Sequence, residues 1–224
     1  MYRLPYSNQS EAANSFKKFM SDKNKRYTAR PLDRYHPATT RWLLIPSTSC
    51  PAYNYGKYSF LIEDKTMLIG LYVEKGLGPK ACGLYDPNQI INRNWIWYQF
   101  YEDMKSGKID EIISEIIKNN QQSIYFSVDG YIDDIAKLEY HYVVYEDRIE
   151  TIKSSNKLDN LNQITRISQI PESLSTLEYL DWMWLNFYIE VPFIKNDVDN
   201  NNLNTISEYD LYKNVLEPLE KWVK

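Results

Sequence analysis

Cysteine and histidine are scarce in this chain: 224 residues contain only Cys50, Cys82, His36 and His141. Two cysteines cannot build the disulfide framework of a small secreted scaffold, so a reducing, cytoplasmic setting is expected. None of the four residues lies near another at zinc-finger spacing, and no metal site is expected from them. Neither histidine stands beside the serine or cysteine of a nucleophile elbow. His141 falls in a β-rich run and reads as a hydrogen-bonded structural residue. No run approaches the ~18 apolar residues of a membrane span. Met1-Tyr2-Arg3-Leu4-Pro5 lacks the apolar core of a signal peptide. Neither a membrane partner nor a cofactor is expected.

Glycine is also sparse, and four of the seven cluster at Gly70, Gly76, Gly78 and Gly83. Gly78 and Gly83 have the outer spacing of a phosphate-binding P-loop. However, Leu84 stands where that loop needs lysine, and Pro79 has no N–H to offer a phosphate. A P-loop is rejected, although Lys75 and Lys80 remain as cations beside a backbone that a ligand can approach closely.

Aromatic residues are abundant, at 15 % with 20 Tyr and 6 Trp. Such rings build cores, and they also suit stacking pockets because an apolar body carries a polar tip. Net charge is −4, unevenly spread: nine of the 26 basic residues fall in the first 41 positions, against Glu11, Asp22 and Asp33. A basic segment on an acidic body meets phosphates or folds back onto that body, and opposite charges on one chain favour the second.

Hydrophobic periodicity places a helix after Ser10 through Ala12, Ala13, Phe16, Phe19 and Met20. Residues 24–51, punctuated by four prolines, read as extended or looped, with Trp42–Ile45 a short buried strand. Tyr58–Ile62 and Met67–Val73 form a hairpin. A helix capped by Asn94 carries Trp95, Trp97, Tyr98 and Tyr101. A second helix carries the stripe Ile109, Ile112, Ile113, Ile116 and Ile117. Ser123–Val128 is a strand, and Leu138–Tyr145 with Arg148–Ile152 is another hairpin. Residues 153–170 read as a polar, irregular surface excursion. Ser175 and Glu178 have a capping-box pattern that opens an aromatic helix through Trp182, Trp184, Phe187 and Tyr188, ending before Pro192. A last helix starts near Ile206 and bends at Pro218. The expected fold is one α+β domain over 1–224. It has a mixed or antiparallel sheet built from hairpins at about 58–74 and 138–152, flanked by aromatic-rich helices.

Three constellations bear on chemistry. Phe60-Leu61-Ile62-Glu63-Asp64-Lys65 has the strand-then-Glu-x-Lys form of metal-dependent nucleases, with Asp33 the nearest upstream acid, and it equally suits a hairpin turn. Asp197 to Glu208 offers oxygen ligands in calcium-loop order, but Asn202 replaces the turn glycine and Asn204 an apolar position. Its alternative is an Asn-rich loop with a capping box at Thr205 and Glu208. The third is aromatic. Tyr53, Tyr55, Trp95, Trp97 and Tyr98, with Lys75 and Lys80, form a candidate pocket for a planar ligand such as a flipped or modified base. Lys17, Lys18, Lys25, Arg26 and Arg30 are the candidate phosphate contacts. The alternative for the rings is a core with one partly exposed member.

The leading functional expectation is a non-catalytic module that recognises nucleic acid, in the manner of a bacterial or phage defence factor. A protein-binding immunity or inhibitor protein comes second, its acidic, Tyr-rich body engaging a basic partner. A metal-dependent nuclease comes third.

Overall fold

The computed structural model describes residues 2–48, 55–74, 96–131, 137–153, 164–170, 184–195 and 203–223. Eight antiparallel strands form one sheet, as the α+β reading expects. In chain order they are β1 Tyr27–Pro31, β2 Trp42–Pro46, β3 Lys57–Glu63, β4 Thr66–Glu74, β5 Ile124–Tyr131, β6 Lys137–Val144, β7 Ile149–Lys153 and β8 Trp184–Ile194. Their order across the sheet is β1-β2-β3-β4-β8-β5-β6-β7, so the last strand joins two sequential meanders.

The helices are α1 Gln9–Asp22, α2 Ile96–Lys105, α3 Lys108–Asn120 and a C-terminal run, α4, from Glu208 to Trp222. Helix α1 starts earlier than Ser10: the Asn8 side chain accepts from the Glu11 N–H at 2.8 Å and caps it. Ala12, Ala13, Phe16 and Met20 are buried as their spacing requires, and α1 packs over β1–β3. Ile109, Ile113, Ile116 and Ile117 likewise form the buried stripe of α3. No helix among the described residues is long and apolar enough to cross a membrane.

Strand β8 overturns the expected aromatic helix through Phe187 and Tyr188. Leu185, Phe187, Ile189, Val191 and Phe193 are all buried in the main core. Asn186, Tyr188 and Glu190 alternate with them and point to the opposite face. Period two therefore governs this stretch, and β-branched and aromatic residues fit a pleated surface. Trp184, Phe187 and Tyr188 also fit helical spacing, which produced the misreading. Pro192 is tolerated because β5 pairs with β8 only as far as Glu190, leaving β4 as its sheet neighbour there. The proposed capping box at Ser175 and Glu178 lies outside the described residues. Of the expected irregular excursion, Lys153 instead ends β7, residues 154–163 lie outside the described residues, and from Ile164 a short 3-10 turn at Ile167–Gln169 follows, with Ile164, Ile167 and Ile170 buried.

Pro218 perturbs α4 as a missing donor should. The turn Tyr212–Leu216 widens, and the Glu217 N–H reaches the Tyr212 carbonyl, five residues back. In a regular helix residue 218 would donate to the Asn214 carbonyl. That carbonyl instead accepts from the Asn120 side chain at 3.1 Å, and the same amide reaches the Ile116 carbonyl at 2.8 Å. Buried Asn120 thus locks α3 to α4 by answering the proline. Replacing Asn120 with Ala should lower unfolding free energy by about 1–3 kcal/mol, the cost of an unsatisfied buried acceptor. Urea denaturation measures this, and an unchanged midpoint would contradict the role.

Candidate functional site

The helices cover one face of the sheet, and the opposite face carries buried polar groups in register. One cross-strand row runs Lys57, Tyr72, Tyr188, Ser127, His141 and Lys153. A second contains Ser59, Gly70, Glu190 and Tyr125, and a third Glu74, Asn186, Asp129 and Glu139. Alternation in the strands accounts for this, because each apolar residue facing the helices has a neighbour facing the other way.

Glu190, 1 % exposed, lies at the centre. Its carboxylate accepts from both terminal nitrogens of Arg41, the second at 3.3 Å, and from the Ser59 hydroxyl at 3.3 Å. Ser59 lies two strands away, across Gly70. A Cβ at Gly70 would sit 1.8 Å from the Ile189 carbonyl oxygen, so only glycine fits there. Arg41 also lies over the Tyr188 ring, 4.3 Å from its centroid. Burial pulls the guanidinium pKa down, but the Glu190 charge and the surrounding oxygens prevail, and the net direction is up.

From this centre the hydrogen bonds continue. Tyr188 donates to Asp129 at 3.0 Å, Asn186 donates to Asp129 at 2.8 Å, and the Tyr72 hydroxyl is within reach of Asn186 and Glu74. Glu74 receives the ammonium of Lys57, which is 2 % exposed. Burial is the largest influence on Lys57 and draws its pKa below the usual lysine range; Glu74 opposes this and Arg30 reinforces it. Burial likewise pushes the Tyr188 phenol well up. Further along, Ser127 Oγ and His141 Nδ1 lie 2.9 Å apart, His141 Nε2 is 3.1 Å from Glu139, and Lys153 reaches Glu139 at 2.6 Å.

Charge on this face is polarised. Arg30, Arg41 and Lys57 come from the β1–β3 side, Glu74, Glu190, Asp129 and Glu139 belong to β4, β8, β5 and β6, and Lys153 on β7 adds one cation at the far edge, against Glu139. The two signs meet in the Lys57–Glu74 and Arg41–Glu190 pairs.

The residues singled out in the sequence are dispersed. Trp97 is 4 % exposed and belongs to the core, stacked on Tyr101 at 5.2 Å and near Phe187 at 6.1 Å. Tyr98 is half-buried against the same core. Tyr55 instead joins Leu43, Ile45, Tyr72 and Tyr188 in a small cluster on the polar face. Tyr53, Trp95, Lys75, Lys80 and the other cluster glycines from Gly76 to Gly83 lie outside the described residues.

Of the basic set, Lys25 is held by Glu220 and by the Tyr212 hydroxyl at 3.0 Å. Lys17 and Lys18 are exposed on α1, and Arg26 and Arg30 are exposed at the β1 edge. Glu63, Asp64 and Lys65 occupy the β3–β4 turn, where Asp64 adopts a φ of 49°. Asp33 is clasped by the Tyr35 N–H and His36 Nδ1, both at 2.8 Å. Glu208, the twelfth residue of the calcium reading, accepts from Tyr6 at 2.5 Å and from Ser15. Residues 197–202 of that reading lie outside the described residues.

Sequence reasoning missed Arg34, Tyr35, Arg41, Lys57 and the whole Asn186–Tyr188–Glu190 set. A glutamate inside Phe187-Tyr188-Ile189-Glu190-Val191 was the available signal: a charge in a buried run requires a partner.

Compared with known proteins, the chain matches no protein family, no curated protein and no solved structure.

Breaking the central pair from either side should be severe. Arg41→Met or Glu190→Leu should each lower unfolding free energy by about 3–5 kcal/mol, because each leaves one charge buried alone. The Arg41→Met/Glu190→Leu double variant should lose less than either single variant. Urea denaturation of all three measures the coupling, and simple addition of the single losses would contradict it.

Proposed function

We propose that this chain is a non-catalytic recognition module for nucleic acid, which meets phosphates along the β1 side of the sheet. The observation that carries the reading is how the basic N-terminal segment divides. Lys25 and Arg41 are taken up by Glu220 and Glu190. Lys17, Lys18, Arg26, Arg30 and Arg34 are exposed and have no anionic partner among the described residues.

These five side chains come from α1, β1 and the segments just before and after β1, and α1 packs directly on β1. A chain of net charge −4 keeps a cationic border there because its basic residues outnumber Glu11, Asp22 and Asp33, the acids of the same segment. Exposed, unpaired arginines and lysines suit phosphate oxygens, which contribute affinity through counterion release and carry no sequence information. The polar sheet face lies behind this border, and its half-exposed acids would repel phosphate. That confines the backbone of a bound strand to the β1 side.

Fluorescence anisotropy with labelled oligonucleotides at increasing salt tests the reading. The affinity should fall steeply with salt. Arg30→Gln should reduce the slope of log affinity against log salt by about one unit, with little change in melting temperature. Absence of binding by the folded protein at low salt, or binding indifferent to salt, would reject nucleic acid and favour a protein partner.

A further inference from the structure

The β1–β2 connection is unusually well tied down for a segment that leaves a large ring in water. Tyr35 is 91 % exposed, the most exposed large hydrophobic residue among those described. Its backbone is nevertheless fixed on both sides. The Leu32 N–H donates to the Arg41 carbonyl at 2.8 Å, and the Asp33 N–H to the Thr40 hydroxyl at 3.3 Å. Asp33 in turn accepts from the Tyr35 N–H and engages His36 Nδ1. The His36 carbonyl receives the N–H groups of Thr39 and Thr40 at 3.2 Å each. Beyond it, Trp42 Nε1 donates to the Pro37 carbonyl at 2.9 Å, and buried Gln9 of α1 donates to the Ala38 carbonyl at 2.7 Å.

This loop is therefore preorganised around Tyr35, and holding an aromatic side chain ready in water lowers the ordering cost of whatever covers it. We propose that Tyr35 is the base-stacking anchor of the nucleic-acid site, and that the strand it engages is single-stranded. The inference rests on the function proposed above and names the form of nucleic acid that the site takes.

Charge selects the occupant. Arg34 adjoins Tyr35 in sequence, Arg30 lies on β1 and Arg26 just before it, and all three are exposed and unpaired among the described residues. Asp33, the nearest carboxylate in sequence, is taken up by the Tyr35 N–H and His36, and an exposed ring on a segment that also carries free arginines suits a polyanion with flat apolar faces. A duplex keeps those faces stacked inside, whereas a single strand offers each base to a ring. Arginines hold the backbone while Tyr35 covers one base, which makes binding tolerant of sequence.

The test compares a labelled single-stranded oligothymidylate with a duplex of equal length, titrated into wild-type protein, Tyr35→Ala, Tyr35→Phe and Arg30→Gln at two salt concentrations. Tyr35→Ala should weaken single-strand binding about tenfold without changing the salt slope, the size expected for one lost stacking contact. Tyr35→Phe, which keeps the ring face, should bind like wild type, and duplex binding should be indifferent to Tyr35. If Tyr35→Ala binds the single strand as tightly as wild type while Arg30→Gln still weakens it, the stacking inference is overturned and the phosphate reading stands. If wild type binds neither oligonucleotide, both are overturned.

Discussion

Glu190 is a carboxylate in the middle of the central strand, on the face away from the helices, and the arrangement of the sheet depends on how it is neutralised. Its counter-ion, Arg41, comes from the other side of β3 and β4, and the bridge passes over Gly70, the position that has no side chain. Burying two ions costs several kcal/mol each before their attraction is counted, so the pair is a weak source of net stability. Its contribution is specificity. A one-residue slip of β8 would turn Glu190 toward Phe126 and the helices, and put Ile189 over Gly70. Register at the junction of the two meanders is thereby set by charge as well as by apolar alternation.

The same pair gives the basic segment a structural role. Arg41 and Lys25 hold the N-terminal part of the chain onto the acidic body, at Glu190 and Glu220. With those charges matched internally, the remaining cations are left outside on α1, β1 and the β1–β2 loop. Gln9 connects the two roles, because it is buried in α1 and anchors the loop that presents Tyr35. Stability and the proposed recognition draw on neighbouring residues of one segment, yet on different side chains.

Much of the architecture was legible wherever one period dominated. The α1 and α3 stripes and both hairpins follow from spacing, and the widened turn ahead of Pro218 follows from the chemistry of proline. Strand β8 was not legible, because Trp184, Phe187 and Tyr188 satisfy helical spacing while the complete run to Phe193 satisfies period two. The aromatic set was recognised by composition, but composition does not tell a core ring such as Trp97 from a presented one such as Tyr35. The basic segment was visible as a charge imbalance. Its division could not be read, since Lys25 and Arg26 are adjacent and their difference lies in Glu220, far along the chain and brought close only by folding.

As proposed, a preformed cationic border from Arg26 to His36 takes up a single strand without rearranging the sheet behind it. Backbone hydrogen exchange, measured with and without a saturating single-stranded oligonucleotide at low salt, tests this most directly. Slower exchange across residues 26–36, with β8 unchanged, is the predicted result. Protection confined to other segments while the oligonucleotide is bound, or no change across 26–36, would contradict it.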